Sequence, residues 1–139
     1  RGALLILTSA FVPSGTTDTG VVWGSAVYDT GNFWSAGNPS CFLMPSTVSL
    51  IQMVGNLLWD TGTTNFRLGK FFKNSAGYAG QAVVTTSAMA TIAVAQNWTS
   101  PVLSVVSGDF LTLIARTSQI NASLNITSAG TWFALHVIA

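Results

Sequence analysis

The alternation of apolar and polar residues is clearest between residues 101 and 117. Two β-rich runs meet there at residues 107–109, a short connection whose glycine suits a tight turn. After the turn the side chains alternate between two faces, Leu111, Leu113 and Ala115 on one and Phe110, Thr112, Ile114 and Arg116 on the other. The pattern predicts a strand, a turn and a second strand, which form a piece of scaffold and hold no catalytic group.

The same alternation predicts short strands along the whole chain. They are expected at 3–12, 21–28, 42–44, 47–59, 65–73, 79–86, 89–98, 101–106, 110–117, 120–127 and 131–138. The Ala-rich run 89–98 is also compatible with a helix, but its β-branched residues favour a strand. Turns at this spacing predict a single all-β domain over residues 1–139, a sandwich or a jelly roll of about ten antiparallel strands.

Composition adds an expectation of self-association. Charged residues make up 6% of the chain and hydrophobic residues 49%, against a typical charged share of ~25%. A soluble monomer normally keeps a charged surface, so we expect much of the surface to be covered by copies of the same chain. The net charge of +1 argues against a nucleic-acid partner, which needs a clustered basic face.

Two further classes are disfavoured by the pattern. Residues 74–108 carry no formal charge, but polar residues, Gly and Pro interrupt them too often for a membrane span. No signal peptide is expected, because Arg1 begins a segment that already has a strand pattern, and the chain can be a fragment or the tip of a longer one. The lone Cys41 allows no disulfide within the chain, and with His136 it is too little for a zinc cluster.

The strands 3–12 and 47–59 are apolar on both faces, as is typical of strands that bury one face in the core and the other against a neighbour. We therefore expect them, with one face of 110–116, to line a subunit interface. The candidate interface residues are Leu5, Leu7, Ile51, Met53, Trp59, Ile114, Arg116 and His136. Arg116 would need an acidic or carbonyl partner there, because an unpaired buried charge costs several kcal/mol.

Four segments resemble the trimeric jelly-roll heads of the complement and tumour-necrosis-factor group and of many phage virion proteins. They are 44–48, which enters a long strand after a Met-Pro turn, 67–74, which ends Phe-Phe-Lys-Asn, 105–110 with its Gly-Asp-Phe turn, and the closing strand 131–135. Ser75 stands where those heads have a glycine after Lys-Asn. The segment 28–37 (Tyr-Asp-Thr-Gly-Asn-Phe-Trp-Ser-Ala-Gly) resembles phage tail-fibre and head-fibre tips.

The resemblance implies a homotrimer on a virion surface, without catalysis or a cofactor, in contact with other virion proteins and with a host cell-surface glycan. A capsid decoration protein of the same fold is the alternative, because it would contact only other virion proteins. Flat aromatic rings near loops can stack on sugars, and neighbouring amides can bond hydroxyls. The candidate ligand contacts are Phe33, Trp34, Asn38, Tyr78 and Trp98. For Trp23, Phe33 and Trp34 we favour a structural role, in which they wedge the long loop onto the side of the barrel or into the neighbouring subunit.

Asp-Thr-Gly occurs three times, beginning at Asp18, Asp29 and Asp60. The copy at Asp60 follows an apolar strand, as in aspartic proteases, where two such carboxylates share a proton. Ordinary turn chemistry explains the tripeptide more simply, since Asp bonds its own backbone and Gly accepts positive φ. We therefore expect no catalytic residue and keep the protease as a third hypothesis. No metal site is expected, although a calcium ion held by loop carbonyls and one Asp stays open.

Overall fold

Alternating apolar side chains produce twelve strands in a computed structural model that describes residues 1–14, 17–61, 66–77, 84–87, 93–117 and 130–139. The strands are Gly2–Ile6 (β1), Thr19–Gly20 (β2), Ser25–Asp29 (β3), Phe42–Leu43 (β4), Leu50–Trp59 (β5), Phe66–Lys73 (β6), Ala76–Gly77 (β7), Val84–Ser87 (β8), Val94–Thr99 (β9), Leu103–Ser104 (β10), Phe110–Thr117 (β11) and Trp132–Val137 (β12). These ranges contain no helix. The all-β expectation is confirmed, and β9 resolves the Ala-rich run as a strand where it is described.

The first sheet has the order β10-β5-β12-β1-β3, with every pairing antiparallel. β9 pairs with the same long strand, β5, over Val54–Trp59. The central strand β12 lies between β5 and β1, with Phe133 opposite Leu5 and Gly55. The first and last strands of the chain are therefore neighbours in the middle of this sheet.

The second sheet has the order β2-β11-β6-β7, and β4 and β8 add to β11 and β6. The β11–β6 pair runs from Leu111 opposite Lys73 to Thr117 opposite Arg67. The expected alternation in β11 is confirmed: Leu111, Leu113 and Ala115 are buried in the core. The residues that alternate with the buried ones on β11 and β6 point away from the core.

The core lies between the two sheets and is rich in aromatic rings. Phe133 packs on Phe42, with ring centroids 4.6 Å apart, and also meets Phe71 and Trp23. Burying one such side chain contributes roughly 1.5–3 kcal/mol. Trp23 enters this core from the segment before β3, so its structural role is confirmed.

Five of the expected interface residues lie in that core and not at a surface. They are Leu5, Leu7, Ile51, Met53 and Trp59, all at most 4% exposed within a single chain. A side chain that is already enclosed by its own chain has no area to offer a neighbouring subunit. The two-faced strands were identified, but the face assigned to the interface is the core face.

Three of the turns that carried the family resemblance meet around one carboxylate, that of Asp109. Its Oδ2 accepts hydrogen bonds from Lys73 Nζ at 2.8 Å and Val106 N–H at 2.8 Å, and its Oδ1 accepts from Asn74 Nδ2 at 2.6 Å. The Asp109 carbonyl accepts from the N–H of Met44. The Met-Pro, Lys-Asn and Gly-Asp turns therefore form one polar clamp that holds β6, β11 and the approach to β5 together.

The Lys-Asn turn has two residues in the left-handed region, Asn74 at φ 53° and Ser75 at φ 62°. Lys73 and Ala76 pair across it, so β6 and β7 form a hairpin with a two-residue loop. Two consecutive positive φ angles are the geometry of a type I′ turn, for which Asn-Gly is the usual sequence. The chain thus keeps the turn that the glycine normally permits and places a serine there at a conformational cost.

The predicted strand 120–127 lies outside the described residues, as do 79–83, 89–92 and Tyr78.

Candidate functional site

The outer face of the first sheet is uncharged, largely apolar and partly exposed. Its central outward side chains are Leu4, Ile6, Val54, Trp132, Ala134 and His136, which with Val27 and Tyr28 line a shallow concavity of about 530 Å³. Leu50, Val102 and Ile138 extend the apolar surface toward one end and are 36%, 51% and 52% exposed. We call this surface the uncharged face.

The name follows from the charges of the strands that form it. The six strands of the first sheet contain one formally charged residue, Asp29. Its carboxylate accepts hydrogen bonds from the N–H groups of Gly31, Phe33 and Trp34 at 2.9–3.2 Å. The Asp29 carboxylate therefore holds the loop after β3 in place and does not add a charge to this outer face.

The remaining expected interface residues do not share one surface. His136 is exposed on the uncharged face, whereas Ile114 and Arg116 lie on the outward side of β11 in the other sheet. Arg116 has the acidic partner that its charge required, since its Nη1 lies 3.8 Å from Asp18 Oδ1. Of the candidates, His136 alone lies on the uncharged face.

The loop after β3 is organised by Asp29 and delivers an aromatic ring inward. Phe33 is 1% exposed and belongs to the core, while Trp34 is half-buried and donates from Nε1 to the Pro39 carbonyl at 3.2 Å. At this copy of Asp-Thr-Gly the carboxylate bonds its own backbone, as the turn interpretation expected, but Gly31 does not have the positive φ that it also expected. Phe33 is therefore a wedge, as favoured, and cannot be a ligand contact.

Trp98 is also a core residue. It is 6% exposed, and its ring packs on Phe71 at a centroid distance of 5.1 Å and lies over the backbone of Gly69. A Cβ at position 69 would collide with the Trp98 ring. Trp98 was a candidate ligand contact, and this burial contradicts that expectation, because the outward residues of β9 are its neighbours Asn97 and Thr99.

A cleft of about 510 Å³ opens on the outer side of the second sheet. Its lining residues are Asp18, Gly20, Asn38, Ser40, Cys41, Leu43, Phe72, Ser75, Phe110, Thr112 and Ile114. Of the candidate ligand contacts that the structure describes, Asn38 alone lines this cleft. Burial raises the pKa of the Cys41 thiol above its ordinary value. Sequence reasoning missed the other lining residues because they come from distant segments that only the two-sheet topology brings together.

The second sheet holds most of the basic side chains. Four of its strand residues are positively charged: Arg67, Lys70, Lys73 and Arg116. Asp18 lies beside the outer pair and contacts both Lys70 and Arg116. The two outer surfaces of the sandwich therefore differ in charge: the first is uncharged, and the second carries Lys70 and Arg116 beside Asp18.

Arg67, on β6, points into the sandwich. It is 1% exposed, donates to Thr117 Oγ1 at 2.8 Å and lies over the Trp59 ring at 5.4 Å. Gln96 connects the two strands by accepting from Trp59 Nε1 and donating to the Arg67 carbonyl, both at 2.8 Å. Desolvation lowers the pKa of the Arg67 guanidinium.

Asp60 follows β5 directly and is half-buried, while residues 62–65 of its Asp-Thr-Gly turn lie outside the described part. Within the described residues, no group of three or more His, Cys, Asp or Glu side chains could hold a metal ion. Nor does any helix there have the length and hydrophobicity to cross a membrane.

No family model and no curated protein matches the sequence. Solved structures do match the fold. Murine APRIL at pH 8.0 superimposes with a TM-score of 0.65 at 14% identity, over 99% of this chain and 100% of that one. The globular domain of zebrafish complement 1qA gives 0.61 at 10% identity, covering 99% and 96%, and the Eiger TNF of S. frugiperda gives 0.56 at 10%, covering 99% and 92%.

These likenesses cover nearly the whole chain, and they establish its fold. The chain has the jelly-roll sandwich of the tumour-necrosis-factor and complement domains, as the four turn and strand segments had indicated. At identities of 10–14%, the likeness identifies the fold and no activity.

Proposed function

We propose that this chain is a non-enzymatic binding head that assembles as a homotrimer through its uncharged face. The observation that carries the proposal is that face itself, a sheet surface with Leu4, Ile6, Val54 and Trp132 at its centre and no charged side chain. Soluble monomers rarely leave a contiguous apolar patch larger than a few hundred Å² in water. Because only 6% of the residues are charged, we expect another copy of the same chain to cover this face.

Three copies are favoured over two because the resembling heads are trimeric. In a ring of three, each subunit contacts its neighbour through two different surfaces, so the uncharged face need not be self-complementary. Each Å² of apolar surface removed from water contributes about 25 cal/mol. Burial of the apolar side chains of the face would therefore favour association.

The test is the mass of the protein in solution, measured by light scattering during size-exclusion chromatography. We expect about three times the 14.5 kDa of one chain. Val54→Lys places a charge at the centre of the face, where it costs several kcal/mol if the face is buried between subunits. The variant should therefore elute as a monomer with the β-sheet circular dichroism of the unaltered protein.

Val106→Lys is the matched control. Val106 is 65% exposed in the turn between β10 and β11, off the uncharged face. It should leave the mass of the assembly unchanged. The proposal is refuted if the unaltered protein is a monomer at all concentrations, or if Val54→Lys keeps the mass of the assembly.

The head is further proposed to sit on a phage virion, at the tip of a tail or head fibre, and to bind a host cell-surface glycan. The support is the resemblance of 28–37 to fibre tips, a segment that folds around the Asp29 carboxylate and places Phe33 in the core. Adsorption of the isolated trimer to bacterial cells tests it. A trimer that binds no host cell but does bind other virion proteins would favour capsid decoration instead.

A further inference from the structure

The cleft on the second sheet joins an aromatic floor to a polar rim. Phe110 and Thr112 lie on the outward side of β11, with Phe72 opposite Thr112 on β6. Phe110 is half-buried, so part of its ring faces the cleft. The volume of about 510 Å³ is in the range of small-molecule sites, ~300–1,000 Å³.

The rim carries hydrogen-bonding groups that the protein does not use. The side chains of Asn38, Ser40, Ser75 and Thr112 make no hydrogen bond to any described residue. The neighbouring Asn74, by contrast, donates to the Asp109 carboxylate and accepts from the Phe110 N–H. Hydroxyl and amide groups that surround an aromatic ring and lack partners are suited to a ligand that has many hydroxyls and one apolar side.

The charges around the cleft argue for a neutral ligand. Asp18 is the one charged residue that lines it, and this carboxylate is engaged by Lys70 and Arg116. Because Lys70 and Arg116 are both held by Asp18, neither is a free cation that could pair with the carboxylate of an acidic sugar. The Lys70 ammonium lies 5.0 Å from the Phe72 ring centroid, which leaves Phe110 as the ring available for stacking.

We propose that this cleft binds a neutral sugar ring, a hexose or N-acetylhexosamine at the end of a glycan, stacked on Phe110 and hydrogen-bonded by Thr112 and Asn38. The inference rests on the proposed function, since it gives the binding head a ligand site and a ligand class. It places binding on the sheet opposite the uncharged face, so that all three sites of a trimer remain open.

The first experiment measures binding of methyl glycosides of neutral hexoses and N-acetylhexosamines by saturation-transfer NMR, with N-acetylneuraminic acid as the acidic comparison. Thr112→Val removes one hydroxyl and keeps the β-branched shape, and it should weaken binding about fivefold, as expected for one lost hydrogen bond. Phe110→Leu removes the ring from an outward position and should weaken it about tenfold. Thr8→Val, at an exposed residue outside the lining, should change nothing.

The second experiment needs no variant, because Cys41 lines the cleft and is the only cysteine of the chain. A sugar in the cleft should slow alkylation of the thiol, measured at alkaline pH because burial raises the pKa of Cys41. Protection by a neutral sugar that is lost in Phe110→Leu supports the proposal. Binding that neither variant weakens, binding of the acidic sugar alone, or no binding of any neutral sugar overturns it. The mass of the assembly is measured separately, so a trimer without sugar binding contradicts this inference and leaves the trimer intact.

Discussion

The clamp around Asp109 makes the sharpest prediction about stability. Asp109→Asn keeps the shape of the side chain but replaces a carboxylate that accepts from Lys73, Asn74 and the Val106 N–H. An amide can satisfy these donors with one oxygen only, and its NH2 group must face at least one of them. In the variant the Lys73 ammonium loses its carboxylate partner. Among the described residues it keeps its hydrogen bond to the Ser104 carbonyl, at 2.9 Å.

The magnitude follows from the burial of the two partners. The Asp109 and Lys73 side chains are 7% and 23% exposed, and breaking a buried ion pair costs ~3–5 kcal/mol. Because Lys73 can turn partly toward water, we expect about 3 kcal/mol for Asp109→Asn. That is a large part of the total stability of a domain, roughly 5–15 kcal/mol.

The assay is urea unfolding followed by the fluorescence of the five tryptophans. It is best performed in the Val54→Lys background, because unfolding of an oligomer depends on protein concentration. Asp18→Asn is the matched control: it breaks surface contacts to Lys70 and Arg116 and should cost at most about 1 kcal/mol. Equal losses in the two variants would show that the clamp is not what holds the turns together.

The pH dependence gives an independent check on the same carboxylate. Burial raises the pKa of Asp109, but the bonds from Lys73, Asn74 and Val106 lower it more, so it lies below its ordinary value. A carboxyl whose pKa is lowered by folding stabilises the fold above its unfolded pKa, about 4, and this contribution disappears as the pH falls through the folded value. The difference in stability between the unaltered protein and Asp109→Asn should therefore shrink in acid. A constant difference would contradict this assignment.

Two other predictions concern turns. Ser75→Gly should stabilise the fold by about 0.5–1 kcal/mol in urea unfolding, because glycine adopts the positive φ of this position without the cost that serine bears. The control Ser107→Gly, at an exposed position with no positive φ, should not stabilise the fold. A loss of stability in Ser75→Gly would contradict the type I′ assignment. Neither the unaltered protein nor Asp60→Asn should cleave a fluorogenic peptide at acid pH, and cleavage that disappears in Asp60→Asn would revive the protease hypothesis.

The strand pattern and the turn motifs were predictable because each depends on neighbours in sequence. Alternation placed Leu111 and Leu113 on the core side of β11, and the Gly-Asp and Lys-Asn motifs are legible because a turn is built from adjacent residues. That the motifs share Asp109 could not be read from the sequence, since their contact depends on the pairing of β6 with β11.

The outward face of β5 was not predicted, although the sequence held a signal. Ile51, Met53 and Trp59 alternate with Leu50 and Val54, so both faces are apolar. The second face, however, also contains Gln52 and Asn56, whose amides need hydrogen-bond partners if they are buried. Gln52 finds one at the Ser100 carbonyl and Asn56 at that of Gly130. Gln52 and Asn56 are therefore the residues in the sequence that indicate which face of β5 lies outside the sandwich core.

The separation of charge between the two sheets links self-association to ligand binding. A jelly-roll sandwich has two outer faces, and a chain with nine charged residues cannot make both of them hydrophilic. Here the only charged residue in the strands of the first sheet is Asp29, whose carboxylate bonds a loop. In the second sheet Lys70 and Arg116, with Asp18, border the cleft. If both faces were equally apolar, stacking on either one would lead to open-ended assembly. Concentrating the charges on one face keeps that face out of the subunit contacts, and it leaves the cleft at Phe110 open to solvent when the subunits have assembled.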